Sequence, residues 1–466
     1  MVSEYDIRQI VQSVIAERTR SAAANGSLPE YCFDDMGKAV EAAADAARRY
    51  GELGFETRRA VVEAMRRAAL ENAAALAEAA FTETGYGTKE HKILKCRLAA
   101  EKTPGVEDIV TDAVSGDEGL TLTAHAPYGV IGAITPSTNP VATIVNNAIG
   151  MTAAGNTVVF APHPLAKSCS FAAISVMNQA VLAAGCSVPL LFCVREPSIK
   201  TSNALMNHPA VKLLVVTGGE AIVQLAMKTG KKVIAAGPGN PPVIVDETAD
   251  IARAAKDIVD GASFENNILC IAEKEVFVVD RVGKALVAEM VHSGAQLLDP
   301  REAEVIQKRV LIERDGGYVI NRDCVGRDAA WILRQAGIAV KGSPRLIVCI
   351  AREDHLFVTT ELLMPILPVV FVADVETAIR SAVKAERGCQ HSAYMHSTNV
   401  ENMSRAVRAL NTTLFVKNAP SYAGLGYQGE GHCTFTIATP TGEGITSAKC
   451  FTRARRCVLH GSFHIV

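Results

Sequence analysis

Between residues 131 and 245 the chain alternates short apolar runs with longer helical ones, and this rhythm limits the possible folds more than any other feature. "TVVFAP" precedes a helical stretch through about Ala184, "LLFCV" precedes another, "KLLVVTGG" opens onto "EAIVQLAMKTG", and "KKVIAAGPGNPPVIVD" follows. Strands each followed by a helix build βαβ units, which predicts an α/β fold with a parallel sheet of Rossmann type and ligand at the carboxyl ends of its strands. The G-x-G-x-x-G fingerprint is absent. "TGGEAI" instead supplies a tight strand-to-helix turn whose bare amides can face a phosphate.

The remaining text divides around this core. Ser3 and Asp6 open a cap-like start, and Ile7, Ile10, Val11, Val14 and Ile15 fall on one helical face, so residues 1–20 are expected to form an amphipathic helix, with 21–33 as its linker. Such a helix either packs on its own domain or docks on a partner. Residues 34–245 are expected to form a dinucleotide-binding domain, Ala-, Glu- and Arg-rich helices first, with a hairpin at 117–129 for oligomerisation. Residues 246–430 mix helices and strands as a second, catalytic α/β domain. Residues 431–466 begin β-rich and are expected to supply a strand that pairs with the hairpin or with another subunit.

At 466 residues, two or three domains are expected. The formal charge of -2 gives no reason to expect a nucleic acid or an acidic membrane as partner. No apolar run approaches the roughly 18 residues that span a bilayer, and no secretory signal is visible, so a soluble intracellular protein is expected. The 12 cysteines include no C-x-x-C pair and no metal-type cluster. Most therefore read as small core residues.

Cys270 stands apart, between the polar "ENN" and an alternating apolar run, as a candidate nucleophile or an inert buried thiol. Six ordered pieces around it decide the matter: "ITPSTNP" (134–140), "NTVVFAPHP" (156–164), "VTGG" (216–219), "ENNILCIAEK" (265–274), "ELLMPILPVV" (361–370) and "LFVKNAPSYAGLG" (414–426). With these the chain resembles the aldehyde dehydrogenase superfamily from about residue 34 onward. Within it, "PTGEGITSAKCFTRARRCVL" resembles the acetaldehyde and propionaldehyde dehydrogenases of bacterial microcompartments, which make acyl-coenzyme A.

The resemblance implies a Rossmann-type cofactor domain, an α/β catalytic domain, a small β oligomerisation element, and a set of roles. Cys270 attacks the aldehyde carbon. Asn139 and the backbone N–H of Cys270 hold the oxyanion, although an asparagine here is also ordinary turn chemistry. Glu361 holds the nicotinamide ribose. Thr135, Pro136, Ser137, His163, Thr217, Gly218, Gly219, Gly237, Pro238 and Gly239 line the cleft for NAD and coenzyme A, and Leu269 and Ile271 flank a small apolar substrate pocket. No metal is implied.

Two departures from the family pattern matter. Where hydrolytic members carry a water-activating glutamate, this chain reads Ala235-Ala236-Gly237-Pro238-Gly239, which suits a thiol as acyl acceptor, because a thiol is already a few per cent ionised near neutral pH. Where many relatives have lysine before proline, it reads Ala161-Pro162-His163-Pro164, and no cation stands ready for a 2′-phosphate, so NAD is expected over NADP. His391 and His396 read as structural residues and are set aside. The expected activity converts a short-chain aldehyde, NAD and coenzyme A to acyl-CoA and NADH in a homodimer or homotetramer. Residues 3–20 are expected to dock on a microcompartment shell protein, placing the enzyme in the lumen. The alternatives are a hydrolytic aldehyde dehydrogenase and a non-enzymatic shell-associated protein.

Overall fold

The computed structural model describes residues 30–463; the helix expected over 1–20 lies outside them. Six parallel strands form a first sheet in the order Cys32–Phe33, Leu191–Val194, Thr157–Pro162, Val130–Thr135, Val211–Thr217 and Lys232–Ala236. From Val130–Thr135 the chain steps outward through Thr157–Pro162 to Leu191–Val194, then crosses to Val211–Thr217 on the other side. The resulting crevice lies at the carboxyl ends of Val130–Thr135 and Val211–Thr217, where such sheets bind ligands. Buried Ile131, Val158, Phe160, Leu213 and Val215 give these strands the two-sided apolar character of a covered parallel sheet.

Helices Met36–Gly51, Phe55–Glu71, Ala73–Thr84 and Lys89–Lys102 precede this sheet. Gly85, left-handed at φ 67, ends the third, and the Thr88 side chain accepts from His91 N to start the fourth. Every residue of Pro140–Ala153 is buried, so the loop that leads into that helix is anchored in the core. The stretch Pro164–Ala183 has the length and apolarity of a membrane span, contrary to the expectation that no segment approaches it. It is a core helix, whose Cys169, Ala173, Ile174, Met177 and Val181 are buried.

A second parallel sheet has the order Ala295–Leu297, Leu346–Ile350, Ile366–Val372, Glu275–Val279, Pro242–Val245, Ser392–His396 and Leu414–Lys417. The change of sheet therefore falls between Ala236 and Pro242, in "GPGN", ahead of the expected boundary at 245. Cys32–Phe33, expected in the linker, is an edge strand of the first sheet, because both residues find an open edge at Cys193 and Val194.

A third, antiparallel sheet joins Asp112–Gly116, Gly119–Pro127 and Thr452–His460. The hairpin thus begins at Asp112, with its turn at Asp117–Glu118, earlier than the expected 117–129. The tail strand is also not the β-rich 434–439 segment. That segment is broken by Pro440 and Gly442 and makes only a two-residue pairing, Ile437–Ala438 with Gly444–Ile445. Instead Thr434, Thr436 and Phe435 bond Asn146 and Asn147 of the buried helix. The long strand comes later, in the arginine-rich "TRARRCVLH".

Candidate active site

The loops that leave the first sheet face the loops that enter the second. Gly237-Pro238-Gly239 enters Pro242–Val245, Cys270 precedes Glu275–Val279, Glu361 precedes Ile366–Val372, and His391 precedes Ser392–His396. A side chain at Gly239 would meet the His391 ring at 2.8 Å and the Cys270 carbonyl oxygen at 3.1 Å. Burial pushes the Glu361 carboxyl up, and the Gly239 N–H is close enough to it to oppose that shift. Four residues from four separate loops thus share one spot, and glycine is required at its centre.

Cys270 is half-buried. Burial first, then the nearby Glu361 carboxylate, pushes its thiol up to about 12, while Lys274 and the N–H groups of Cys270 and Ile271 oppose the shift. Lys274 is itself buried and donates to Asn267 O at 3.0 Å, Asn267 Oδ1 at 2.6 Å and Leu269 O at 3.0 Å. One ammonium therefore holds Asn267 and Leu269, two of the three residues that lead into Cys270. Leu269 and Ile271 are 3% and 1% exposed, and the Ile271 carbonyl accepts from the Tyr394 hydroxyl. Both belong to the first core cluster.

The turn before them is strained. Glu265, Asn266 and Asn267 take left-handed φ values of 51°, 53° and 60° in succession. Asparagine tolerates this region, but glutamate does not, at about 1 to 3 kcal/mol. Helix Lys89–Lys102 holds the turn in place. His91 Nδ1 accepts from Glu265 N at 2.9 Å, Lys92 Nζ donates to Glu265 Oε1 at 2.8 Å, and Lys95 Nζ lies 3.3 Å from Oε2. Gly87 is needed opposite, because a side chain there would overlap the Glu265 carboxylate.

Asn139 occupies the cap position of helix Pro140–Ala153, yet its side chain caps nothing. Its Oδ1 accepts from Lys95. The turn-chemistry alternative is therefore not what the side chain does, and its Nδ2 is left for another acceptor. Burial lowers Lys95 to about 8, with Glu265 pulling it back up.

Of the nucleotide candidates, Thr135 is buried with its hydroxyl unpartnered among the described residues, and its carbonyl accepts from His163 N at 3.1 Å. Thr217 Oγ1 lies 3.1 Å from Thr436 Oγ1, and Gly218 N donates to Ala236 O at 3.3 Å. Gly219 begins helix Glu220–Met227 with no side-chain cap, leaving amides as the expected anion-facing groups. A side chain at Gly237 would meet the Pro440 ring at 3.1 Å. Pro136 and Ser137 continue the loop from Thr135 toward Asn139 and are half-buried. His163 is pushed down by burial, then by Arg322.

Sequence reasoning missed five residues here. Lys95 and Glu265 sit far apart in the chain, and Lys92 and Lys95 read as the polar face of a surface helix. Lys274 lies within the quoted "ENNILCIAEK" but had no assigned task. His391 was set aside, whereas its buried ring lies against Gly239, held neutral with a pKa lowered to about 4 by burial, its Nε2 unpartnered among the described residues.

A parallel sheet with bare glycine turns at its switch point, faced by a cysteine loop and an asparagine amide, defines an NAD(P)-type aldehyde-oxidising fold, and the match of residues 18–306 to the aldehyde dehydrogenase family model agrees. The chain belongs to the aldehyde dehydrogenase family. It is 48% identical, over the full length of both chains, to the acetaldehyde dehydrogenase (acetylating) EutE of Escherichia coli. A propionaldehyde dehydrogenase of Rhodopseudomonas palustris, solved with bound CoA and an acylated cysteine, is 48% identical with a TM-score of 0.91, over 94% of this chain and 100% of that one. A propionaldehyde dehydrogenase from the Clostridium phytofermentans fucose utilisation bacterial microcompartment is 46% identical with a TM-score of 0.91, over 93% and 99%.

Proposed function

We propose that the protein is a CoA-acylating aldehyde dehydrogenase, oxidising a short-chain aldehyde such as acetaldehyde or propionaldehyde to its acyl-CoA. The observation that carries this reading is Gly239. Where the resemblance places the water-activating glutamate of hydrolytic members, the segment Ala235-Ala236-Gly237-Pro238-Gly239 carries no carboxylate, and at its end Gly239 packs against His391 and Cys270 with no room for a side chain. The acetylating and CoA-bound relatives support the same reading.

Cys270 gives up its thiol proton to solvent, its Sγ forms the bond to the aldehyde carbon as the carbonyl π pair moves to oxygen, and the resulting oxyanion is met by Asn139 Nδ2 and the Cys270 N–H. NAD, when bound, accepts the hydride, and coenzyme A supplies the thiol that takes the acyl group off the cysteine. Glu361 orients the nicotinamide ribose. Thr135, Pro136, Ser137, His163, Thr217, Gly218, Gly219, Gly237 and Pro238 form the cleft that both nucleotides use in turn, and the uncapped amides at Gly219 suit a pyrophosphate. The Nε2 of His391, unpartnered among the described residues and on a ring that lies beside Gly239, is placed to accept a hydrogen bond from an incoming thiol.

At the finer level, residues 3–20 dock on a microcompartment shell protein and carry the enzyme into the lumen. The antiparallel sheet pairs subunits of a homodimer or homotetramer. Val114 and Val458, 70% and 60% exposed, support this assignment.

The reading is tested by withholding coenzyme A. One burst of NADH near one equivalent per site is expected, followed by near arrest as acyl-enzyme accumulates. Steady free-acid production without coenzyme A would overturn it in favour of the hydrolytic alternative.

A further inference from the structure

We infer that Lys95 is the positioning residue for the oxyanion-binding amide of Asn139, dictating which end of that amide faces the reacting carbon. The inference rests on the reading of Cys270 and Asn139 given above. A carboxamide has an oxygen end that accepts and a nitrogen end that donates, and only the nitrogen end stabilises an oxyanion. The two ends are nearly the same size, so shape alone does not choose between them. An ammonium has donors and no acceptor. Lys95 beside Asn139 therefore admits only the oxygen and turns Nδ2 to the opposite side.

Lys95 has little freedom to do otherwise. Its side chain is 3% exposed, and helix Lys89–Lys102 is anchored at Thr88 by its cap and at Lys92 by Glu265. Ala77 and Ala80 of helix Ala73–Thr84, Pro140, Val141 and Ala142 of the buried helix, and Lys92 line the rest of the small pocket around it, so the acceptors within its reach are Asn139 Oδ1 and the Glu265 carboxylate. The groups around the ammonium are Lys92, Glu265 and, through the Glu265 N–H, His91. Glu265 is shared by both lysines, so with both ammoniums charged the cluster retains one excess positive charge behind the amide. That charge polarises Asn139 in the sense that strengthens Nδ2 as a donor. The carboxylate that holds Lys95 is five residues before Cys270, so one helix fixes both the amide and the turn that carries the nucleophile.

The test is a double-mutant cycle on the full-length enzyme, read as the rate of the NADH burst and as KM. Lys95→Met is expected to slow the burst by roughly 10²- to 10³-fold, the scale of losing one oxyanion donor, with the KM for NAD and aldehyde changed less than about twofold. In an Asn139→Ala background, Lys95→Met is expected to change the burst by less than about twofold, because its effect passes through that amide. In Lys95→Ala, added ethylammonium is expected to restore about tenfold or more. A wild-type burst in Lys95→Met, or losses that multiply in the double mutant, would overturn the inference. Should Lys95→Met fail to fold, Lys95→Ala decides: a slow burst that ethylammonium leaves unchanged in the Asn139-containing enzyme overturns it. Failure of the acylating reading is distinguishable, since it appears in the wild type as free acid without coenzyme A and leaves the burst comparison intact.

Discussion

Burial first, and the Glu361 carboxyl second, hold Cys270 as a thiol. Desolvation and Glu361 together move its pKa to about 12, so the resting thiolate is scarce at neutral pH, and Lys274 is the charge that limits the loss. The same Lys274 ties down the backbone just ahead of the sulfur, so it acts on both geometry and charge. Replacing the sulfur alone separates chemistry from scaffold. Cys270→Ala is expected to abolish the NADH burst while leaving the thermal midpoint and NAD binding near wild type, because alanine fills a half-buried site without stranding a polar group. Appreciable turnover in that variant would remove Cys270 from the mechanism.

The element that carries the nucleophile, residues 264–274, is unusually rich in buried charge. Glu273 accepts from Ser421 N at 2.8 Å and is otherwise closed in, and burial raises its carboxyl to about 8. Folded, it keeps its proton at pH 7; unfolded, it ionises near 4.5. The folded state thus binds the extra proton, and this group's contribution to stability falls as pH rises from about 4.5 towards 8. Between pH 6 and pH 8 the wild type is expected to lose about 2 kcal/mol more than Glu273→Gln in urea unfolding, and equal slopes would mean the carboxyl is ionised when folded. Much of this element was legible in advance. "ENNILCIAEK" singled out Cys270 as the candidate thiol, and the βαβ rhythm announced the sheets on either side. The Lys95–Asn139 contact was not, because nothing in an amphipathic helical text says that two of its lysines point inward to a carboxylate 170 residues away. The tail was misplaced for a similar reason. β-propensity favours "TFTIAT" over "RARRC", but buried side-chain bonds to Asn146 and Asn147 hold the former outside any long ladder.

At the scale of the molecule, catalysis and placement are separable. The two large sheets hold the cleft between residues 32 and 417, so the first 20 residues are not needed to build it. Deleting residues 1–20 is expected to leave acyl-CoA formation in solution unchanged within about twofold and to abolish co-purification with shells. A truncated enzyme that still enters shells, or that unfolds, would show that the segment does not serve as a docking helix. An isolated helix of that length is marginal in water, which is why a partner surface is physically reasonable.

The antiparallel sheet also sets a schedule. Its third strand pairs Thr452 with Pro127 and His460 with Gly119, so the hairpin is made long before the strand that completes it. At ribosomal rates the whole second sheet emerges in between, on the order of tens of seconds. During that interval the open edge of Gly119–Pro127 offers unpaired N–H and C=O groups to any neighbouring copy. On a crowded polysome, a finished tail from one chain and a waiting hairpin on the next can pair in the same register as within one chain. A chain still being made can therefore begin to pair with a copy that has already been completed.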